Sequence, residues 1–285
     1  MEVYRVEPHG YCQGVEKAMR LALEEKKRHP DAEVYLLGML VHNEEAIQEL
    51  LEAGLMFIDE RRVELSAAIQ GIPEGSTLIF SAHGHPKSWE KIAEDRHLKI
   101  VDATCPFVNF NLIAAKKCDA PLIYLGVAGH LEAEAFRANV PSAYFFDVAT
   151  MRFDKTISGN GSPAIIAQTT LSQEEIAEAL HRIHQDFPEA KLLKGTCLST
   201  TERQESIKRL PEDVDVLIVL GSSSSNNSKK LAEIGAKRGL DTHLVLGLDE
   251  LKRIRFDGKK KVALSSGAST SPKTYDLCCD YLLSL

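Results

Sequence analysis

An α/β fold built from three repeated units is what this sequence predicts, and three observations lead there. Cys12, Cys105 and Cys197 are spaced almost evenly, 93 and 92 residues apart. Each closes a β-like run, in "VYRVEPHGYC", "LKIVDATC" and "AKLLKGTC", and each opens a helix-like segment. Short continuous apolar runs alternate with helix-like segments along the chain, the pattern of buried parallel strands joined by helices. Self-similarity at a fixed period signals repeated structural units. The period here divides the chain into units 1–98, 99–191 and 192–285.

In the first unit, Cys12 leads into "GVEKAMRLALEEKKRH", which carries helical apolar spacing at Val15, Met19, Ala22 and Leu23. The apolar run "VYLLGMLVHN" ends at His42, and Asn43 is placed to cap a helix that closes near Gly54. "STLIFSAHGH" then ends at His83 and Gly84. In the second unit "PLIYLGVAGH" ends at His130 and "PAIIAQTTLS" at Thr169 and Thr170. Ser172 with Glu175 three residues on makes a capping box for a helix that stops before Pro188. Residues 153–163, "FDKTISGNGSP", are turn-rich and read as a surface loop or hairpin. In the third unit "DVLIVLGSSSSNNS" ends around Ser225 and Asn227, and "KVALSSGASTS" at Ser269. The helix between them carries Leu231 and Ile234 and ends near Gly239.

In open parallel sheets, ligands bind beyond the carboxyl ends of the strands. All nine polar or thiol strand ends would lie there. Three units about a pseudo-threefold axis would point them at one cavity. The plain alternative is that Ser, Thr and Asn at such junctions are local N-caps. Three equivalent cysteines are not explained that way.

The composition narrows the function classes. Hydrophobic residues make up 44% and charged residues 26% of the 285 residues, ordinary for a soluble globular protein. A net charge of −7 and the lack of a basic stripe argue against a nucleic-acid partner. No apolar run approaches the roughly 18 residues of a membrane span. "MEVYRVEPHG" lacks the basic region and apolar core of a secretion signal, so a cytoplasmic location is expected, or a plastid stroma-like one had a transit peptide been removed. Six cysteines without a secretion signal favour metal, redox or buried roles over disulfides.

Three cysteines without a close Cys-x-x-Cys pair fit structural zinc poorly, since that usually takes four ligands. They suit a 4Fe–4S cluster with one iron not ligated by protein. Electron-transfer clusters normally use four cysteines; a three-cysteine cluster instead exposes a Lewis-acidic iron. Cys118, Cys278 and Cys279 read as small buried hydrophobes, with the 278/279 pair as a competing source of a fourth ligand. His42, His83 and His130, with Ser225, Asn227 and Ser269 at the corresponding places in the third unit, can all donate to an anion. Helix N-termini would add amides and a favourable dipole. Together they read as a seat for a diphosphate or carboxylate. Glu132, beside a cluster and an anion, should have a raised pKa and act as a proton donor; its alternative role is a first-turn helix glutamate.

The ordered set "GYCQGV", "VHN", "SAHG", "DATCP", "GHLEAE", "QTTLS", "TTERQ", "GSSSSNNS" and "GAS" closely resembles the motifs of the 4-hydroxy-3-methylbut-2-enyl diphosphate reductase family, also called IspH or LytB. The resemblance covers nearly the whole chain. It implies a trefoil of three α/β domains around a 4Fe–4S cluster. It also implies reductive removal of the allylic hydroxyl, giving isopentenyl and dimethylallyl diphosphate, the last step of the methylerythritol phosphate route to isoprenoids. By matching motif, Cys12, Cys105 and Cys197 would hold the cluster. His42, His83, Ser225, Asn226, Asn227 and Ser269 would seat the diphosphate. His130 and Glu132 would form a proton relay, with Thr169 beside the substrate hydroxyl. Electrons would come from an external donor such as ferredoxin or flavodoxin.

Several positions depart from the family pattern: Gln13, Leu131 and Ala135, the Glu of "TERQ", Asn226 in place of a Ser, and "FVNFN" where basic residues usually follow "DATCP". Competing readings are a divergent paralogue acting as reductase or dehydratase on another small anion, a relative of quinolinate synthase, and a non-catalytic iron–sulfur sensor. A sensor has no need of the retained Glu132 and Thr169.

Overall fold

The computed structural model describes residues 1–157 and 162–285. In chain order the first stretch holds β1 (Glu2–Arg5), α1 (Gln13–Arg28), β2 (Val34–Leu37), α2 (Glu44–Glu52), β3 (Met56–Ile58), α3 (Leu65–Gln70), β4 (Thr77–Phe80) and α4 (Lys87–Asp95). The middle holds β5 (Lys99–Asp102), α5 (Pro106–Lys116), β6 (Leu122–Gly126), α6 (Leu131–Asn139), β7 (Tyr144–Asp147), β8 (Arg152–Phe153), β9 (Ala164–Ala167), α7 (Gln173–Asp186) and β10 (Lys191–Lys194). The last holds α8 (Leu198–Lys208), β11 (Val216–Leu220), α9 (Asn226–Lys237), β12 (Asp241–Val245), α10 (Leu248–Leu251), β13 (Lys261–Ser266) and α11 (Pro272–Ser284).

The strands form three separate sheets ordered β3-β2-β4-β5, β7-β6-β9-β10 with β8 added beyond β7, and β12-β11-β13-β1. Among the described residues every pairing is parallel except β7 with β8. The three orders are the same pattern repeated, and each sheet ends on a strand that leads into one of the three cysteines.

That last point divides the sheets differently from the expected units. β5, expected to head the second unit, pairs with β4 in the first sheet, Thr77 opposite Lys99. β10, where the third unit was expected to begin, pairs with β9 in the second. β1 closes the third sheet against β13, Glu2 opposite Lys261, so the two ends of the chain meet in one sheet. A sequence period fixes the length of a repeat and leaves its phase open. The sheets therefore cross the boundaries at 98/99 and 191/192.

Each sheet is covered on both faces, as parallel sheets require. The first buries Leu36 and Ile79 on one side and Leu37, Leu78 and Phe80 on the other. The second separates Ile123, Leu125 and Ile165 from Tyr124 and Ile166. The third separates Ile218 and Leu264 from Leu217 and Val219. Both expected caps are in place, and Ser225, read above as part of the anion seat, also caps its helix. The Asn43 side chain accepts from the Ala46 amide, Ser172 and Glu175 close a capping box on α7, and Ser225 accepts from Ser228 at the start of α9. Gly54 and Gly239 follow their helices at φ +87° and +79°, backbone that a side chain disfavours.

All nine expected runs are strands. β3, β7, β8 and β12 were not anticipated; they are short or partly polar and lie toward the outer side of their sheets, where burial does not impose an apolar run. The turn-rich stretch 153–163 begins at the end of β8, and its centre, 158–161, lies outside the described residues. No helix among the described residues is long and apolar enough to cross a membrane.

Candidate active site

All the strand ends singled out above open on one cavity where the three sheets converge. Cys12, Cys105, Cys197, His42, His83, His130, Glu132, Thr169, Ser225, Asn226, Asn227 and Ser269 all line it. The parallel arrangement explains this, since each residue lies just past the carboxyl end of its strand.

Each of the three cysteines is the N-cap residue of a helix, Cys12 of α1, Cys105 of α5 and Cys197 of α8. Their sulfurs therefore sit at the positive ends of three helix dipoles, which favours negative charge. The Phe107 and Val108 amides face the Cys105 sulfur, and the Thr200 hydroxyl and amide lie 3.1 and 3.4 Å from that of Cys197. Burial nevertheless pushes Cys105 up to about 11 and raises Cys197, so without a metal these thiols keep their protons at neutral pH. A metal centre would displace those protons.

The donor set, three thiols from three helix starts on one cavity, suits a thiolate-bound cluster. The one trio among the described residues whose ligand atoms all lie within 4.8 Å of one another is His85, Glu90 and Asp102. The three cysteines instead share the lining of one cavity. Gly14 keeps that space open: a Cβ there would lie 2.5 Å from the Cys105 sulfur and 3.9 Å from that of Cys12. Cys278 and Cys279 supply no fourth ligand, because both are buried in the core beneath the third sheet with Val262 and Tyr275. Cys118 is half-buried at the end of α5, its sulfur near the Ala120 carbonyl.

Opposite the thiols stand three imidazoles. His42 and His83 have ring centroids 4.1 Å apart, and His130 lies 5.4 and 6.0 Å from them. Burial holds His42 at about 4, His130 at about 3 and His83 well below its usual range, so all three are neutral. His130 Nδ1 accepts from the Glu132 amide at 3.2 Å, which puts the ring proton on Nε2. That Nε2, both nitrogens of His42, Nδ1 of His83 and both amide atoms of Asn227 are buried without a partner. Buried polar atoms are normally paired; this many orphans around one cavity describe a seat for a polar guest. Ser269 donates to the His42 carbonyl at 3.1 Å, and Asn226 donates to the Thr170 carbonyl and hydroxyl at 3.3 Å, tying the third unit to the first and second.

Glu132 is 3% exposed. It accepts from the Thr169 amide at 2.8 Å and from the Thr169 hydroxyl at 2.7 Å, with the Tyr124 hydroxyl 3.4 Å away. Burial outweighs those bonds and raises its pKa to about 7. The sequence led to the same direction, through a neighbouring cluster and anion; burial is the cause found here.

A match to the LytB protein family model spans residues 3–283. The chain belongs to the LytB family. It is 32% identical over 276 residues to the 4-hydroxy-3-methylbut-2-enyl diphosphate reductase of Acidithiobacillus ferrooxidans, covering 94% of this chain and 84% of that one. It is 33% identical over 291 residues to the enzyme of that name from a Geobacillus species, covering 99% and 90%. The structure of the E-1-hydroxy-2-methyl-but-2-enyl-4-diphosphate reductase from Plasmodium falciparum superposes with a TM-score of 0.86 at 28% identity, over 99% of this chain and 87% of that one. A second solved reductase, described as the terminal enzyme of the non-mevalonate pathway, superposes at 0.69 and 26% identity, over 100% and 99%.

Most departures from the LytB pattern lie away from the cavity. Gln13 is exposed on the first turn of α1, and Glu202 is exposed on α8. Leu131 and Ala135 line a separate groove with Trp89 and His85. The exceptions are Asn226 and, from the "FVNFN" segment, Phe107 and Val108, all of which line the cavity.

One buried cation was missed. Arg203 is buried on α8, close enough to Cys12 and Cys197 to interact with their charge. Its guanidinium donates to the carbonyls of Pro8, Gly10 and Ser266 at 2.9, 2.8 and 3.1 Å. The signal was present in the "TTERQ" motif, but a polar helix gives no hint of which residue turns inward.

Proposed function

We propose that this protein reduces 4-hydroxy-3-methylbut-2-enyl diphosphate, losing the allylic hydroxyl as water and yielding isopentenyl and dimethylallyl diphosphate. The overall change takes two electrons and two protons for each hydroxyl removed. The observation that carries the reading is the placement of Glu132, a carboxyl of pKa about 7 bonded to Thr169, in the same cavity as three cysteine N-caps and a shell of unpartnered donors.

Cys12, Cys105 and Cys197 are proposed to hold a 4Fe–4S cluster with one iron free of protein ligands. When bound, that group supplies electrons and a Lewis-acidic site for the hydroxyl. The chain's own residues do the rest. His42, His83, Ser225, Asn226, Asn227 and Ser269 seat the diphosphate, neutral donors replacing arginine and lysine. The first turn of α9 adds its dipole to that seat. The exposed ammonium of Lys229 lies near enough to His42 and His130 to add positive potential. Glu132 holds the proton at neutral pH, and the Thr169 hydroxyl, 2.7 Å away, passes it toward the departing oxygen. The His130 Nε2 proton points to the same space and orients the hydroxyl. The electrons come from an external carrier of the ferredoxin or flavodoxin kind.

The test is turnover of the hydroxylated diphosphate under anaerobic conditions by iron-reconstituted protein with a reduced viologen dye. Formation of the two five-carbon diphosphates is expected. Full iron loading with no spectral response to that diphosphate would assign the cavity to another small anion.

A further inference from the structure

The reaction proposed above consumes electrons that the chain must take from another molecule, and the surface beside the cysteines is unusual. Of the twelve large apolar side chains exposed among the described residues, six lie on α5, β10 and the start of α8. Those are the elements that flank Cys105 and Cys197. Phe107, Phe110 and Ile113 recur every three residues, so they form one stripe along α5. The rings of Phe107 and Phe110 meet edge-on with centroids 6.2 Å apart. Phe110 is 54% exposed. The other side of α5, with Leu112 and Ala115, is packed against the second sheet, which leaves the stripe to solvent. Leu198, 64% exposed, directly follows Cys197.

The stripe reaches the redox site directly. Its first residue, Phe107, lines the cavity, and the Phe107 amide faces the Cys105 sulfur. Lysines flank both groups of exposed apolar residues. Lys116 and Lys117 are exposed at the end of α5, and Lys191 and Lys194 bracket two exposed leucines on β10. None of these four lysines takes part in an ion pair among the described residues. The exposed Asp119 and Glu189 lie beside them, so four lysines less two acids leave a net +2 on these two stretches, against −7 for the chain as a whole.

Resting on the reading of the cavity as a reductase site, we propose that this face docks a small acidic one-electron carrier protein. The apolar stripe of α5 with Leu198 forms the centre of the contact, and the lysines form its rim. A contact of this composition combines a desolvated aromatic centre with charges that steer encounter. It also brings the carrier's redox group toward the helix start that holds Cys105, where Phe107 both borders the cavity and is exposed.

Two variants test the surface, and neither touches a cavity residue: Phe110→Ser with Ile113→Ser, and Lys117→Glu with Lys194→Glu. The probes are an acidic plant-type ferredoxin and an acidic flavodoxin. Their binding is measured by titration, and turnover is compared with that driven by a reduced viologen dye, which needs no docking face. The apolar variant should weaken binding and raise the KM for the carrier by about tenfold or more, as loss of a central aromatic contact does. Viologen-driven turnover and thermal melting should stay unchanged. The charge variant should slow association at low salt, with the difference fading as salt is added. Equal binding by wild type and both variants, or no binding of either carrier to wild type, would overturn the proposal. So would a wild-type dimer that the apolar variant dissolves, because the stripe would then face a second copy of this chain. Absence of viologen-driven turnover in the wild type would instead reject the proposed reaction, while the binding titrations would still decide the docking face.

Discussion

In the proposed reaction, Glu132 and Thr169 concentrate the chemistry into a pair of side chains. A carboxyl 3% exposed and held at a pKa of about 7 keeps its proton into the neutral range, where an ordinary carboxyl is ionised. Its ordinary value is 4.5, so between about 4.5 and 7 the folded state keeps a proton that the unfolded state has released. The stability owed to that proton is present at low pH and is lost as pH rises through the window. Turnover that uses the protonated acid should fall above pH 7, and a pH profile of the rate would show it. Glu132→Gln should retain iron and bind the diphosphate but lose about 10²- to 10⁴-fold in rate, the usual contribution of a positioned proton donor. Single-turnover kinetics would separate that loss from binding; an unchanged rate would remove Glu132 from the relay. Gly14 makes a second prediction at this scale. Gly14→Ala places a methyl 2.5 Å from the Cys105 sulfur, so iron content should fall while circular dichroism stays native. Most of the twelve candidate residues could be read from sequence because they close apolar runs; Glu132 came from its place two residues after His130 and Asn226 from the motif set. The rise of the Glu132 pKa could be read as well, but not its cause or the neutrality of the three imidazoles, because both depend on how fully three sheets bury one point.

At the level of the element, the same local device recurs: a parallel strand, a short turn and a helix whose N-cap is a thiol. Arg203 locks two such devices together, reaching from α8 to the loop between β1 and Cys12 and to the end of β13. Arg203→Met would leave three carbonyls without their donor in a buried place. A loss of about 3 kcal/mol or more follows from the usual penalty for unsatisfied buried groups. Chemical denaturation of the metal-free protein would measure it. Removing the Ser172 capping box by Ser172→Ala should cost about 1 kcal/mol in the same assay, a difference that marks a cap from a keystone. Strands with apolar runs and helices with caps were legible because those signals are local. β3, β7, β8 and β12 were not, because outer strands carry mixed residues, and neither was Arg203, whose partners are distant in sequence.

Across the whole molecule, the chain is a ring of three sheets closed by its own N-terminal strand. The period of about 93 residues revealed the repeat, and the chain ends hid its phase: β1 completes the third sheet, pairing with β13 from Glu2 to Arg5. The N-terminal residues therefore serve both the core and the site. A chain lacking residues 1–6 should expose the edge of β13, lose the anchor of Cys12 and fail to hold iron; full iron loading in that truncation would contradict the closure. The convergence of three helix N-caps also explains how thiols so far apart in sequence come to line one cavity. Each sheet needs only its local pattern to form, and the packing of the sheets then places one sulfur from each.

Iron and acid-labile sulfide per chain, measured after anaerobic reconstitution of the wild type and of single Cys→Ser variants, test the central claim most directly. About four of each are predicted in the wild type, as for a cubane, with the same content in the Cys118, Cys278 and Cys279 variants. Each of the Cys12, Cys105 and Cys197 variants should lose the intact cluster. A full complement in any one of those three would contradict the account.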